Sequence, residues 1–475
     1  MNPTSKFKKA PLSLIVAPAG CGKTHLLVDS AASIGGRQLI LTHTTAGVKE
    51  LKTRLEKKNV SKTKYIVKTI DSFCFSYVSA YPRSSNLDLE SLPTGGDWSE
   101  VKQSFSCLVQ LPFIQDILSA SYSGILVDEY QDCSIIQHHI ITLLSKILPC
   151  RIVGDPMQSI FNFGKGDEAL IPWSKVEKDF IHVGELTTEW RWKNANNEDL
   201  GVVIGKSRAQ LQENKMPDII KVNTKAISNI RVERNLLKAN QISRANSVAN
   251  DNPDDSVAII FPIRRASCWA LTASLKNRYH VLEDADCRDL LLLCETLDNE
   301  LSQSNGQLLT HSLALAKTFI AKLPSDSAMW ITRIVEGNPP KIRIPDKKRI
   351  LTSMIELYHN PDIECLSKFS TAVESFPGIT YKSSESWWVF KKALLLVSSK
   401  KHTKLTDAVS YLRMKERAAG RRIPKRCVST TLLLKGLEFD HVIIPDLSEF
   451  RGNREHFYVA ISRARKTVTI LCPTD

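Results

Sequence analysis

The chain has 475 residues, 43% of them hydrophobic and 24% charged, a balance that fits two or three folded domains and excludes a disordered tail or a fibre. Lys and Arg number 64 against 50 Asp and Glu, a formal charge of +14 that favours a polyanionic partner without identifying one. Eleven cysteines, scattered from Cys21 to Cys472 with no C-x-x-C pair, predict reduced thiols and exclude a disulfide framework or zinc cluster as the organising device.

The first predicted element is a buried strand, Leu12–Val16, too short for the apolar region of a signal peptide and followed at once by Ala17-Pro18-Ala19-Gly20-Cys21-Gly22-Lys23-Thr24. A helix begins near His25, so the order is strand, loop, helix, the context a phosphate loop requires. Gly20 and Gly22 would let successive N–H groups curl around phosphate oxygens. Lys23 would reach the terminal phosphates, and Thr24 would offer its hydroxyl to Mg²⁺. Ala17 stands where the usual pattern has its first glycine, and the alternative is an ordinary glycine turn before a helix. Gly124–Val127 predicts a second strand, ending in Asp128 and Glu129. Beside a phosphate loop, Asp128 would hold Mg²⁺ through water and Glu129 would orient and deprotonate the attacking water. A solvated turn is the alternative for an isolated match.

Only about fifty residues separate Tyr77 from Asp128, which leaves room for a small accessory element. Farther on, the polar stretch Asn240 to Asp255 predicts a loop, Val257–Phe261 a buried strand, and Ala266 to Lys276 a helix. Residues 285–415 are helical in pattern. Trp387-Trp388 there could be a DNA wedge or helix core, and the six basic residues between Lys415 and Arg426 a DNA guide or a solvated face. With no run of ~20 apolar residues, no membrane span is expected, and the location predicted is the cytoplasm.

Asp128-Glu129-Tyr130-Gln131-Asp132, followed by Gly154-Asp155-Pro156-Met157-Gln158-Ser159-Ile160-Phe161, resembles the DE-[FY]-QD and GD-x-x-QSI-[FY] motifs of UvrD/Rep-type helicases. The rest of that family's ordered set is traced in Leu41-Thr42-His43-Thr44, Thr69-Ile70-Asp71-Ser72-Phe73 and Glu189-Trp190-Arg191. It continues in Lys435-Gly436-Leu437-Glu438-Phe439 and in Tyr458 to Ala464. The resemblance implies an α/β fold of two RecA-like parallel-sheet lobes with a helical insertion in the second lobe. Its expected divisions are a first lobe over 1–183 with a small accessory insertion, a second lobe over 184–284 and 416–475, and the insertion over 285–415.

The same resemblance implies ATP and Mg²⁺ as cofactors, with Arg191 and Arg463 neutralising γ-phosphate charge, Gln158 sensing that phosphate and Glu438 near the ribose. Arginine suits the role because its planar fork is always charged. Trp190 stands where the family usually has a tyrosine that stacks on the base, a core tryptophan being the alternative. Phe161, Phe163 and His43 fall at aromatic positions where rings stack on DNA bases, with ordinary packing as the alternative for each. Departures are Leu432 and Asp71, each where histidine is common, and the lack of an upstream glutamine motif that would read adenine.

The implied function is 3′-to-5′ translocation on single-stranded DNA, or on DNA with a single-stranded end, driven by ATP hydrolysis. The alternative is a DNA- or nucleotide-sensing regulatory ATPase of an anti-phage complex, like the helicase-like subunit of Gabija, with cutting done by a partner nuclease.

Overall fold

A computed structural model describes residues 2–87, 97–161, 164–275, 278–282, 288–301, 305–419 and 423–474. The chain forms two compact units, Met1–Asn229 with Phe450–Thr467, and Ile230–Glu449 with Val468–Asp475.

The first unit is built on strands β1 (Leu12–Val16), β2 (Gln38–Thr42), β3 (Tyr65–Thr69), β4 (Gly124–Val127), β5 (Cys150–Gly154) and β6 (Ile181–Glu185), in the order β3-β2-β4-β5-β1-β6. Every pairing in this sheet is parallel. Parallel strands are covered on both faces by their crossover helices, so the central ones are largely apolar. β2, β4 and β5 are buried at every position. One face packs with Phe7, Leu27, Leu51 and Leu55, the other with Phe73, Phe105, Ile114 and Ile140. The accessory element comprises helices Asp97–Leu108 and Pro112–Ser121; it is seated by Phe105, whose ring lies 5.5 Å from Phe73 in an edge-on contact.

The second unit carries β8 (Val257–Phe261), β9 (His280–Val281), β10 (Ile320–Ala321), β11 (Thr380–Tyr381), β12 (Arg426–Thr430) and β13 (Phe439–Ile444), with the greater part of β7 (Ile227–Glu233) and of β14 (Ala464–Thr474), each of which begins in a residue of the first unit. Its sheet has the order β7-β14-β13-β8-β12-β9, with β12 and β13 both parallel to the buried β8. Between β9 and β12 the chain leaves the sheet for the helical insertion, which includes Arg288–Glu300, Asn305–Phe319, Pro345–His359, Ile363–Glu374, Ser384–Ser398 and Leu405–Ala419. These helices share a core of Leu290, Phe319, Leu357, Phe369 and Leu394. The fold is therefore α/β, two RecA-like parallel-sheet lobes with a helical insertion in the second.

The segment expected to be a loop, Asn240 to Asp255, is instead mostly the helix Leu237–Asp251. Its apolar stripe is Ile242, Ala245, Val248 and Ala249, spaced by three and four residues, and it packs on β8 and Leu271. Two of the four are alanine, so burial comes from close approach rather than bulk, and the surrounding Asn and Ser residues mask the period.

The tryptophan pair is split by burial, and Trp387 follows the helix-core alternative. Trp387 is fully buried with its ring 5.7 Å from Phe390, whereas Trp388 points outward. Part of the basic stretch from Lys415 to Arg426 lies outside the described residues.

Candidate nucleotide site

Sheet topology gathers the site. β1, β5, β4 and β2 are successive neighbours, and their carboxyl ends deliver Ala17, Asp155, Asp128 and His43 to one edge of the sheet. In open parallel sheets that edge is where ligands bind.

After β1 the loop turns through Gly20 (φ 76°) and Gly22 (φ 89°) into the helix Lys23–Ser33. Both angles are left-handed and favour glycine. Space excludes a side chain as well: a Cβ on Gly20 would lie 2.9 Å from Arg191 Cβ, and one on Gly22 3.2 Å from Trp190 Cδ1. The first turn of this helix holds no acidic residue, so its N–H groups present an unopposed positive end to the loop. Lys23 is buried; its Nζ donates to the Ala17 carbonyl at 3.2 Å and lies 3.6 Å from Glu129 Oε2. Burial, then the Glu189 charge, pushes the Cys21 thiol up to about 12, so this loop residue is a neutral packing group. Glycine cradle, positive helix end, lysine and the Thr24 hydroxyl together form a donor set that fits a nucleotide polyphosphate with Mg²⁺.

Asp128 is buried, and its backbone N–H donates to the Leu41 carbonyl at 2.9 Å, which joins it to β2. Desolvation, reinforced by the Glu129 carboxylate and opposed by Lys23, raises the Asp128 carboxyl to about 7. Such a group gives up its proton when a divalent cation arrives, in keeping with a magnesium carboxylate. Glu129 adopts a left-handed backbone (φ 51°), uncommon for a residue with a long side chain. Gln131 holds it there, donating from Nε2 to Glu129 Oε2 at 2.6 Å.

Gln131 also faces the other way, accepting the Asp155 N–H at 2.9 Å. Asp155 is fully buried and receives Gln158 Nε2 at 2.9 Å and Arg208 Nη2 at 2.9 Å. Gln158 Oε1 in turn accepts from Arg463 Nη2 at 3.1 Å. A continuous polar chain thus runs from Glu129 through Gln131, Asp155 and Gln158 to Arg463. Residues Phe450–Thr467, which carry Arg463, belong to the first unit. They are docked by the Ala19 N–H, which donates to Tyr458 Oη at 2.9 Å, and by Arg191 Nη1, which donates to the Ser462 carbonyl. Arg191 is itself tied to the loop, its N–H donating to the Gly20 carbonyl at 3.2 Å.

Trp190 and Trp192 take opposite environments. Trp192 is buried and donates to the Ala464 carbonyl at 2.8 Å, while Trp190 is 48% exposed beside Gly22 with Lys193 Nζ 5.6 Å from its ring. The His25 Cβ also lies near Gly22, 4.0 Å from where a glycine Cβ would stand, while its Nε2 reaches Asp29 Oδ2 at 3.4 Å. Burial, then the charges of Lys58, Arg54 and Lys8, lowers the His25 imidazole from its usual value.

Residues 17–24, Asp128, Glu129, Gln158, Trp190, Arg191 and Arg463 thus come together in the first unit. Glu438 lies in the second unit and is exposed. His43 follows β2 with its Nε2 3.5 Å from Cys133 Sγ; Phe161 is half-buried, and Phe163 lies outside the described residues. Sequence reasoning missed Gln131, Asp155, Tyr458, Arg208 and His25 as members of the site. The first three stand inside quoted motifs, so their place there was the available signal, whereas Arg208 belongs to an unremarkable helix, Glu198–Gln212.

A phosphate loop, a carboxylate pair and a RecA-like sheet define a P-loop protein. Residues 5–117 and 97–181 match the UvrD/REP helicase N-terminal domain, and residues 427–471 match the UvrD-like helicase C-terminal domain. The two matches together support a UvrD/Rep-type helicase. No curated protein matches it. Among solved structures, an arterivirus nonstructural protein 10 (helicase) in complex with DNA is similar at 12% identity over 54% of this chain, with a TM-score of 0.27. The chain spans about half, 49%, of that protein's length.

Among the described residues no helix is long and apolar enough to cross a membrane.

Proposed function

We propose that the chain is an ATP-dependent motor that moves 3′-to-5′ along single-stranded DNA and opens duplexes from a single-stranded end. The observation that carries this reading is the polar chain from Glu129 to Arg463, which links the catalytic carboxylate to an arginine by way of Gln158. A group that senses the γ-phosphate and lies three residues before Phe161 is suited to pass nucleotide state to a ring that grips DNA. The 3′-to-5′ direction is taken from the resemblance to UvrD/Rep-type helicases alone.

In this reading the loop N–H groups and Lys23 bind the phosphates, and Thr24 and Asp128 hold Mg²⁺. Held by these two residues, Mg²⁺ would supply positive charge to neutralise the phosphates. Glu129 takes the proton of the attacking water, and Arg191 and Arg463 face the charge that grows on the γ-phosphate oxygens.

Steady-state ATP hydrolysis, with and without single-stranded DNA, tests the proposal. DNA is expected to stimulate turnover, and Lys23→Ala to abolish it. Turnover indifferent to DNA, in protein that binds nucleotide, would replace the motor with a sensing subunit of a defence complex that works through a partner nuclease.

Trp190, half-exposed at the loop's mouth, is assigned to the base. Trp190→Ala is expected to weaken nucleotide binding by about 1 to 3 kcal/mol, the range for base–aromatic stacking. Turnover at saturating ATP should hold. Equal KM values for ATP in the variant and wild-type enzyme would remove Trp190 from the site.

A further inference from the structure

Helix Glu198–Gln212 buries Leu200, Ile204 and Leu211, and with them it buries Arg208. A guanidinium in such a place needs a partner, because burying an unpaired charge is costly. The partner is Asp155, itself fully buried, whose Oδ1 accepts from Arg208 Nε at 3.2 Å and from Nη2 at 2.9 Å. Among the described residues Arg208 is the one cation paired with Asp155. Stability alone does not call for such a pair, since well-packed apolar groups in its place are often as good or better.

What the pair supplies is a direction for the hydrogen bonds beyond it. Asp155 Oδ1 also accepts the Met157 N–H at 3.2 Å, and Oδ2 accepts Gln158 Nε2 at 2.9 Å. An ionised carboxylate only accepts and a guanidinium only donates. Gln158 stands between one of each, Asp155 at its amide nitrogen and Arg463 Nη2 3.1 Å from its amide oxygen, so one orientation of the amide satisfies both. Without Arg208 the buried carboxylate would take up a proton to escape its charge. With Oδ1 occupied by the Met157 N–H, the acid would donate from Oδ2 and draw the Gln158 oxygen toward itself. The Gln158 amide nitrogen would then face Arg463, donor against donor.

We propose that Arg208 is a positioning residue for ATP hydrolysis: by pairing with Asp155 it keeps that carboxylate an acceptor, which turns the Gln158 amide oxygen toward Arg463 and so sets the arginine's fork for the γ-phosphate. The proposal rests on the reading of Arg463 as an arginine that answers γ-phosphate charge.

The test measures kcat for ATP in the presence of single-stranded DNA, together with affinity for a fluorescent ATP analogue. The proteins compared are wild type, Arg208→Met, Arg208→Lys, Asp155→Asn, Arg463→Ala, and Arg208→Met combined with Arg463→Ala, with thermal unfolding followed for each. Arg208→Met should lower kcat by about 2- to 100-fold, the range over which members of one hydrogen-bond network couple. Binding of the analogue should hold. Arg208→Lys keeps a cation beside Asp155 and should restore part of the loss. Asp155→Asn should also lower kcat although Arg208 remains: its Oδ1 still accepts from Met157 and Arg208, which sets Nδ2 against Gln158 and reverses the amide. In the Arg463→Ala background Arg208→Met should cause no further loss, because its effect passes through Arg463; a purely structural defect would multiply the two losses.

A folded Arg208→Met or Asp155→Asn protein with wild-type kcat, or an equal fractional loss from Arg208→Met with and without Arg463, would overturn the proposal while leaving the motor reading intact. Should Arg208→Met fail to fold, Arg208→Gln, which removes the charge but keeps a polar side chain, decides by the same two criteria. Near-normal turnover in Arg463→Ala would instead overturn the reading of Arg463, and this proposal with it.

Discussion

Glu129→Gln is expected to lower ATP turnover by a factor of about 10² to 10⁴, the contribution of a positioned general base. Nucleotide binding should survive. The substitution keeps the shape of the side chain, and the new amide oxygen can still accept from Gln131 Nε2, which now donates to Glu129 Oε2 at 2.6 Å. The left-handed turn at residue 129 should therefore persist. What disappears is the charge that takes a proton from water and the ion pair to Lys23 at 3.6 Å. Lys23 keeps its bond to the Ala17 carbonyl and becomes available to phosphate without competition from a carboxylate, so affinity for ATP should hold or rise. Steady-state turnover and titration with a fluorescent ATP analogue separate the two effects. Turnover within about fivefold of wild type would rule out Glu129 as the base, since it falls below the lower bound for such a group.

How far the sequence discloses this molecule follows from the range over which each feature is encoded. β1, β4 and β8 are legible because strands buried on both faces need short, largely apolar runs, and Leu12–Val16, Gly124–Val127 and Val257–Phe261 supply them. The phosphate loop is legible because its conformational demands fall on adjacent residues, Gly20 and Gly22. The helix Leu237–Asp251 is not, since Ala245 and Ala249 bury too little surface to stand out among asparagines. Pairs distant along the chain are hidden for another reason. Arg208 meets Asp155 across 53 positions, Lys102 meets Glu168 across 66, and the Ala19 N–H meets Tyr458 across 439. Nothing local to Arg208 or Lys102 distinguishes them from the surface cations that surround them in sequence. Each becomes visible only when the sheet order brings its carboxylate alongside.

Arg463→Ala is expected to cost about 10³-fold or more in turnover, the lower end of the range for an arginine that stabilises phosphoryl transfer. ATP affinity should change far less, because the charge the guanidinium answers grows in the transition state. The side chain is only 2% exposed, and its fork is directed by three acceptors: Val459 O at 3.0 Å from Nε, with Ser462 Oγ and Gln158 Oε1 each 3.1 Å from Nη2. Arg463→Lys retains the charge but loses the fork, and should fall between alanine and wild type. Gln158→Ala should reduce turnover less than Arg463→Ala, since it removes the orienting acceptor and leaves the cation. If the two act as one device, the double variant will be no slower than Arg463→Ala alone; independent roles would multiply the losses. Thermal unfolding of each variant separates this from collapse of the segment around helix Arg454–Ile461, which Tyr458 also anchors to the phosphate loop. A stable Arg463→Ala protein with near-normal turnover would make the arginine a packing residue of that segment, and would leave Arg191 as the only arginine assigned to the γ-phosphate.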